Sequence, residues 1–250
     1  MSSYDSDCGM FGPDGNVYQI DYANKAIELH GLGIALNLQN TTVFSVLCKK
    51  TSPLEIPCST RYFQLTDDVY ACVVGSLPDG RAALETLSNS LNQFTTYNDI
   101  SPPISFITDT LSSIFERFTH YSQARPYGCS IFVSNGVELY SVVPSGEIFA
   151  NYACVAGQKW QNARVEVEKL MGEEASTVDR YGHLKRSKNE GGKLKKMTEK
   201  EGVEKAQEVI KVVIEDIDNL MYIESLVVRS GRESQKSILE LETVGGSVVE

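Results

Sequence analysis

The chain has 250 residues, 42% hydrophobic and 22% charged, which is ordinary globular usage and enough length to bury a sizeable core. Its 33 acidic against 23 basic side chains give a formal charge of -10, which speaks against a general nucleic-acid binder, since neutralising phosphates takes a basic face. Cys8, Cys48, Cys58, Cys72, Cys129 and Cys154 form no C-x-x-C pair and several sit in apolar company, so a reducing compartment is expected, with disulfides or a zinc site as the alternative. No apolar run reaches the roughly 20 residues of a membrane span and no basic start precedes one, so neither a membrane segment nor a signal peptide is expected.

In chain order, the first segment is "YDSDCGMFGPDGNVYQIDYA", Tyr4 to Ala23, a specific pattern where frayed termini are usually bland. Ile20, Ala23, Ala26 and Ile27 then share one face of a short helix. "GLGIALNL" and "TTVFSVLCKK" read as paired strands, and "RYFQLTDDVYACVVG" as a further pair ending at Gly75. Leu84, Leu87, Leu91 and Phe94 recur at helical spacing, as do Ile104, Ile107, Leu111, Phe115 and Phe118 after the Pro102-Pro103 break. "CSIFVSNGVELYSVVPSG" predicts a hairpin turning at Asn135-Gly136. A third helix is expected from near Asn162, with Trp160 packed at its start. A long fourth one is expected from Val203 to Met221, its apolar side carrying Ala206, Ile210, Val213, Ile217 and Leu220. Strands at "YIESLVVRS" and "KSILELET" close the chain.

Helices paired between groups of strands do not make alternating βαβ units. The expectation is an α+β four-layer αββα sandwich, two antiparallel sheets between helix pairs, as a single domain over residues 1–250. Residues 172–197, "GEEASTVDRYGHLKRSKNEGGKLKKM", are polar and basic in their second half; they read as a surface insertion, or as a patch for an acidic partner.

The opening segment resembles the amino-terminal signature of proteasome alpha-type subunits, Tyr-Asp, then Phe-Ser-Pro-Asp-Gly-Arg, then Gln-Val-Glu-Tyr-Ala. Here the matching residues are Tyr4-Asp5, Phe11-Gly12-Pro13-Asp14-Gly15-Asn16 and Gln19-Ile20-Asp21-Tyr22-Ala23. The resemblance continues through "LPDGRAALE", "ARPYGCSIF", "VPSGEIFANYACVAGQ" and "ARVEVEKL", and is strongest to the type-3 branch, which takes the seventh place in its ring. It implies the amino-terminal nucleophile hydrolase fold and a noncatalytic role in ring assembly, pore gating and activator docking for ubiquitin-dependent protein degradation in cytoplasm and nucleus. The implied partners are neighbouring alpha subunits, proteasome beta subunits, and a regulatory particle or other activator at the ring surface, with no nucleic acid, membrane or cofactor. Residues 1–30 become a gate tail and helix, with Tyr4, Asp5, Pro13 and Tyr22 on the cluster that holds open tails. Each of these residues taken singly fits an ordinary turn or surface anchor; their joint spacing fits the gate.

Departures from the pattern are Ser6, Gly12 and Asn16 in place of Arg, Ser and Arg. Alignment on Gly75 puts Arg61 where the family's activator pocket has a lysine; a solvated cation at a strand start is the alternative reading. Catalytic relatives begin their first strand with a threonine and have an aspartate nearby. Those positions here are Leu32 and Cys48, so no catalytic residue is expected. His30, His120 and His183 have no metal-ligand spacing, so no metal is expected either. An independent hydrolase of that fold, and a diverged alpha-like adaptor outside the proteasome, are the alternatives.

Overall fold

Short β-rich runs pair into two antiparallel sheets in the computed structural model, which describes residues 10–56, 60–120, 124–171, 192–215, 220–231 and 234–240. The elements are α1 (Tyr18–Glu28), β1 (Gly33–Asn37), β2 (Thr41–Lys49), β3 (Tyr62–Gln64), β4 (Tyr70–Gly75), α2 (Leu77–Asn98), α3 (Ile104–His120) and β5 (Cys129–Ser134). They continue with β6 (Leu139–Val142), β7 (Ile148–Ala150), β8 (Ala153–Ala156), α4 (Trp160–Met171), α5 (Glu199–Val213), β9 (Met221–Arg229) and β10 (Gln235–Glu240). One sheet runs β10-β9-β2-β1-β8 and the other β3-β4-β5-β6-β7.

Strand alternation assigns the layers. On β1, Ile34 and Leu36 pack with Val167, Ile210 and Val213 of α4 and α5, while Ala35 faces the other sheet. On β4, Ala71 and Val73 pack with Leu87 and Leu111 of α2 and α3, while Cys72 and Val74 face inward beside Phe44, Phe132 and Leu226. Both faces of each central strand are therefore covered, which is why these strands read as continuous apolar runs rather than alternating ones. The result is the expected αββα sandwich. At Gly33 a Cβ would lie 2.4 Å from Val74 Cγ2, so the sheets close at a point that only a glycine allows.

Two local expectations need correction, at the hairpin and the fourth helix, and two short strands went unforeseen. Ser134 pairs with Leu139, so the hairpin turns through four residues rather than at Asn135-Gly136 alone. Gly136 alone has positive φ (86°), and the Asn135 side chain accepts from the Val137 and Glu138 N–H groups to close the loop. The strands β7 and β8, three and four residues long, were too short to stand out by periodicity. The fourth helix starts earlier and ends earlier than its apolar pattern implies. Thr198 and Glu201 form a reciprocal capping box at its start, and Ile214 already has extended backbone (φ -96°, ψ 97°) at its end. The β-branched run Val212-Val213-Ile214 stays apolar beyond the helix because Ile214 is buried in the same core. Ile217 lies outside the described residues, and Leu220 belongs to the turn before β9.

Residues 192–197, the end of the stretch expected as a surface insertion, are part of the packed fold. Residues 172–191 lie outside the described part, but Leu194 is fully buried under α5 and Lys195 Nζ donates to Asn37 Oδ1 (3.2 Å) and Leu38 O (3.0 Å). Lys193 N–H donates to Met171 O (3.2 Å), so the chain re-enters where α4 ended.

Candidate gate and docking site

The Pro-Asp-Gly turn comes first. Pro13 holds φ for the turn, Gly15 N–H donates to Gly12 O (2.9 Å), and Gly12 N–H donates to Asn16 O (2.8 Å). Gly15 has φ +82°, a conformation glycine takes at no steric cost. Burial pushes the Asp14 carboxyl up, but hydrogen bonds from Tyr18 and Asn16 outweigh it and hold the group below its ordinary value. Gly12 is explained locally: a Cβ there would lie 2.7 Å from the Tyr18 ring and 2.7 Å from Asp14 Oδ1. The departure from the family's Ser therefore goes with the Tyr18 ring packed over the turn.

Of the expected gate cluster, Tyr4 and Asp5 lie outside the described residues. Pro13 sits exposed in the turn, and Tyr22 is 52% exposed on α1. Phe11, 73% exposed, stands beside the same turn. Ala23 and Ile27 fix the helix by burying its opposite side.

Tyr22 lines one wall of a 320 Å³ cleft whose other walls are α1 residues Gln19 and Ala26, His30, and the Ser76, Asp79, Arg125 and Gly128 group. Asp79 opens α2, and Arg125 lies 46 residues later in "ARPYG". Arg125 Nη1 and Nη2 donate to Asp79 Oδ2 (2.6 Å) and Oδ1 (2.8 Å), a two-pronged pair, and Gly128 N–H donates to Oδ2 (2.8 Å). Arg125 holds the Asp79 carboxyl below its usual range, with the Gly128 N–H helping against burial. Two motifs that the sequence showed only as resemblance are thus one fastening: it ties the loop before β5 to the start of α2. Nothing in the sequence marks the pairing beyond the charges themselves.

Arg61 lies just ahead of β3 and is half-buried rather than solvated. Its Nη1 donates to Gly75 O (3.0 Å) and Val73 O (3.3 Å), while Nε and Nη2 donate to no oxygen of a described residue. Gly75 makes this possible: at φ +106° it ends β4, where a Cβ would lie 2.6 Å from Gly128 O. Cys48, Tyr62, Cys72 and Glu224 of the inter-sheet layer all lie within the electrostatic reach of its charge.

Glu224 was missed by sequence reasoning. Its strand face, Tyr222, Glu224, Leu226 and Val228, is apolar apart from this one acid, which was the signal available. The side chain is 1% exposed, and neither carboxylate oxygen has a hydrogen-bond partner among the described residues. Burial pushes it up to about 7, against the pull of Arg61, the Thr60 N–H, Lys236 and Tyr222, which lie near without meeting hydrogen-bond geometry. The Tyr62 hydroxyl donates to the Glu224 backbone carbonyl instead (2.7 Å).

Leu32, at the position of a catalytic nucleophile, is fully buried ahead of β1 and accepts from Leu47 N–H (2.8 Å). Burial pushes the Cys48 thiol up to about 12, so it carries no thiolate at neutral pH. Among the described residues, no group of three or more His, Cys, Asp or Glu is placed to hold a metal ion. No described helix is long and apolar enough to cross a membrane.

Two stacked antiparallel sheets between helix pairs, with a turn-and-helix lead in front of the first strand, define the proteasome-type class of sandwich. The model of the proteasome subunit family matches residues 33–191, and the model of the N-terminal signature of its A-type members matches residues 4–26. The alpha type-3 proteasome subunit of Drosophila melanogaster is 31% identical over 68% of this chain and 69% of its own length. The alpha type-3 subunit of Dictyostelium discoideum is 31% identical over 68% of this chain and 70% of its own. The proteasome alpha subunit of Metallosphaera sedula is 30% identical over 70% of this chain and 75% of its own. The chain belongs to the proteasome subunit family, as an alpha-type member of the core particle's ring.

Proposed function

We propose that this subunit is itself noncatalytic and works at the pore of the threonine-protease complex, propping the gate with its amino-terminal segment and offering Arg61 to a docking activator. The observation that carries the first half is Leu32: where a catalytic relative needs a free amine and a hydroxyl, this chain has a buried aliphatic side chain with α1 leading into it. Exposed Phe11 beside the Pro13 turn and exposed Tyr22 on α1 support the gate reading, because a surface that presents aromatic side chains is suited to contact neighbouring chains. Tyr4 and Asp5 complete that cluster by their spacing.

Arg61 supports docking because two of its nitrogens have no oxygen acceptor among the described residues, so a terminal carboxylate has donors to meet. The neighbours are alpha chains in the ring, beta chains beneath it and an activator above, in cytoplasm and nucleus. The whole chain serves as one unit, with residues 1–30 as tail and helix and residues 172–197 as the polar, basic insertion. The net charge of -10 gives nucleic acid no part in this reading.

The test is peptide hydrolysis by the purified core particle. Removing residues 1–12 of this chain raises basal hydrolysis without activator, because the closed tails lose a support. Unchanged basal hydrolysis contradicts the gate reading, and peptidase activity in the isolated chain contradicts the noncatalytic one.

A further inference from the structure

The inter-sheet layer holds a buried acid with unmet hydrogen-bonding capacity within the electrostatic reach of an arginine. Among the described residues, Glu224 has two carboxylate oxygens with no partner at 1% exposure, and Arg61 has two nitrogens with no oxygen acceptor. They attract each other electrostatically yet form no contact pair, so Arg61 is tied through Nη1 to Gly75 O and Val73 O while Glu224 stays unbridged. An unpaired buried carboxylate is costly, and native interiors rarely keep one without a use.

We propose that Glu224 makes capture of a partner's terminal carboxylate at Arg61 proton-coupled: the carboxylate binds when Glu224 carries a proton and is repelled when it does not. The proposal rests on the docking reading of Arg61 given above. The atoms balance simply, since binding takes one proton from solvent onto Glu224 and forms no covalent bond. Protonated, Glu224 carries no charge to oppose an incoming carboxylate, and Arg61 acts on it unopposed. Ionised, it places a second negative charge in a low-dielectric layer facing the incoming one.

The surroundings leave Glu224 as the group that titrates near neutrality. From β2 comes Cys48, from β3 Tyr62, from β4 Cys72, and burial pushes all three up, so they remain neutral. From β9 itself comes Tyr222, from β10 Lys236, and from the segment before β3 the Thr60 N–H and Arg61. By linkage, the affinity for a carboxylate ligand falls by up to about tenfold per pH unit above the Glu224 pKa and levels off below it.

The experiment uses the assembled core particle and a short labelled peptide ending in a free carboxylate, beside the same peptide as its terminal amide, titrated from pH 6 to pH 8.5. Particles carrying Arg61→Met identify the share of binding that belongs to this pocket. That share is expected to weaken about tenfold per unit above pH 7, and Glu224→Gln to make it flat and tight across the range. A Glu224→Gln particle with the wild-type slope overturns the proton coupling while leaving docking at Arg61 intact. Arg61→Met without effect on affinity overturns the docking reading first and the coupling with it. Because Glu224→Gln alters a buried strand, calorimetry of the unaltered particle in two buffers of different ionisation enthalpy is a second check. At pH 7, uptake of about half a proton per carboxylate peptide bound, and none for the amide, is expected; zero uptake for both overturns the proposal.

Discussion

Asp79 and Glu224 are both carboxylates set beside an arginine, and the fold keeps them in opposite conditions. Asp79 meets two guanidinium nitrogens and a backbone N–H at the head of α2, with its partner Arg125 67% exposed. Glu224, 1% exposed against 9% for Asp79, meets neither its arginine nor any other described donor in hydrogen-bond geometry. The first is held low and the second is pushed up, because a charged carboxylate is stabilised by the hydrogen bonds it accepts and destabilised by the water it loses. A buried acid whose oxygens are satisfied fastens two elements. An unsatisfied acid in an interior is a group whose charge depends on what else arrives.

The largest change expected from breaking this contrast is at Glu224. Its native pKa lies above the unfolded value, so the protonated form is the favoured one in the fold, and stability falls as pH rises from the ordinary carboxylate range to about 7. Glu224→Gln should therefore gain on the order of 2–3 kcal/mol over the unaltered chain at pH 8 and almost nothing at pH 4. Denaturant unfolding at the two pH values reads this; an equal effect at both would mean that Glu224 does not titrate in this range.

Asp79→Asn should cost about 2 kcal/mol at pH 7, since it leaves Arg125 without its forked acceptor and weakens the bond from Gly128 N–H. The sign with pH is opposite: the Asp79 carboxyl is depressed, so its contribution is present above the ordinary carboxylate range and lost as pH falls through its lowered native value. Thermal unfolding between pH 2 and pH 7 checks that the variant and the unaltered chain converge in acid.

Tyr62→Phe sharpens the assignment of the Glu224 titration. Its hydroxyl donates to the backbone carbonyl of Glu224 and not to the carboxylate, so its loss should cost about 1 kcal/mol with the pH dependence retained. A flattened profile in this variant would place the titration in the Tyr62 network. The smallest effect is expected at Gly12→Ala, where the new methyl group meets the Tyr18 ring and the Asp14 side chain at an exposed turn and disturbs the hydrogen bonds there, at about 0.5 kcal/mol. Its readout is the basal peptide hydrolysis of the particle, which should change more than stability does.

Much of the architecture could be read from pattern alone. Leu84, Leu87 and Leu91 did face the core from α2, and the strand runs around Val46, Val74 and Ile131 did pair into the two sheets. Periodicity fails where tertiary contacts set the boundary. Ile214 continues the apolar side of α5 with extended backbone, and Leu194 is core in a stretch that composition reads as polar surface. Motif alone put Pro13, Tyr22 and Arg61 forward for the proposed site, whereas the pairing of Asp79 with Arg125 spans 46 residues and leaves no local trace. Glu224 was visible only as one acid on an otherwise apolar strand face, and its lack of partners is a property of the neighbouring sheet.

The most direct test of the central claim is native mass spectrometry of the complex that carries this chain in its own cells, followed by the intact mass of the released chain. Stacked alpha and beta rings are expected, with this chain in the alpha ring and its residues ahead of Leu32 still attached. A chain absent from such particles, or one cut to begin at Leu32, would contradict that claim.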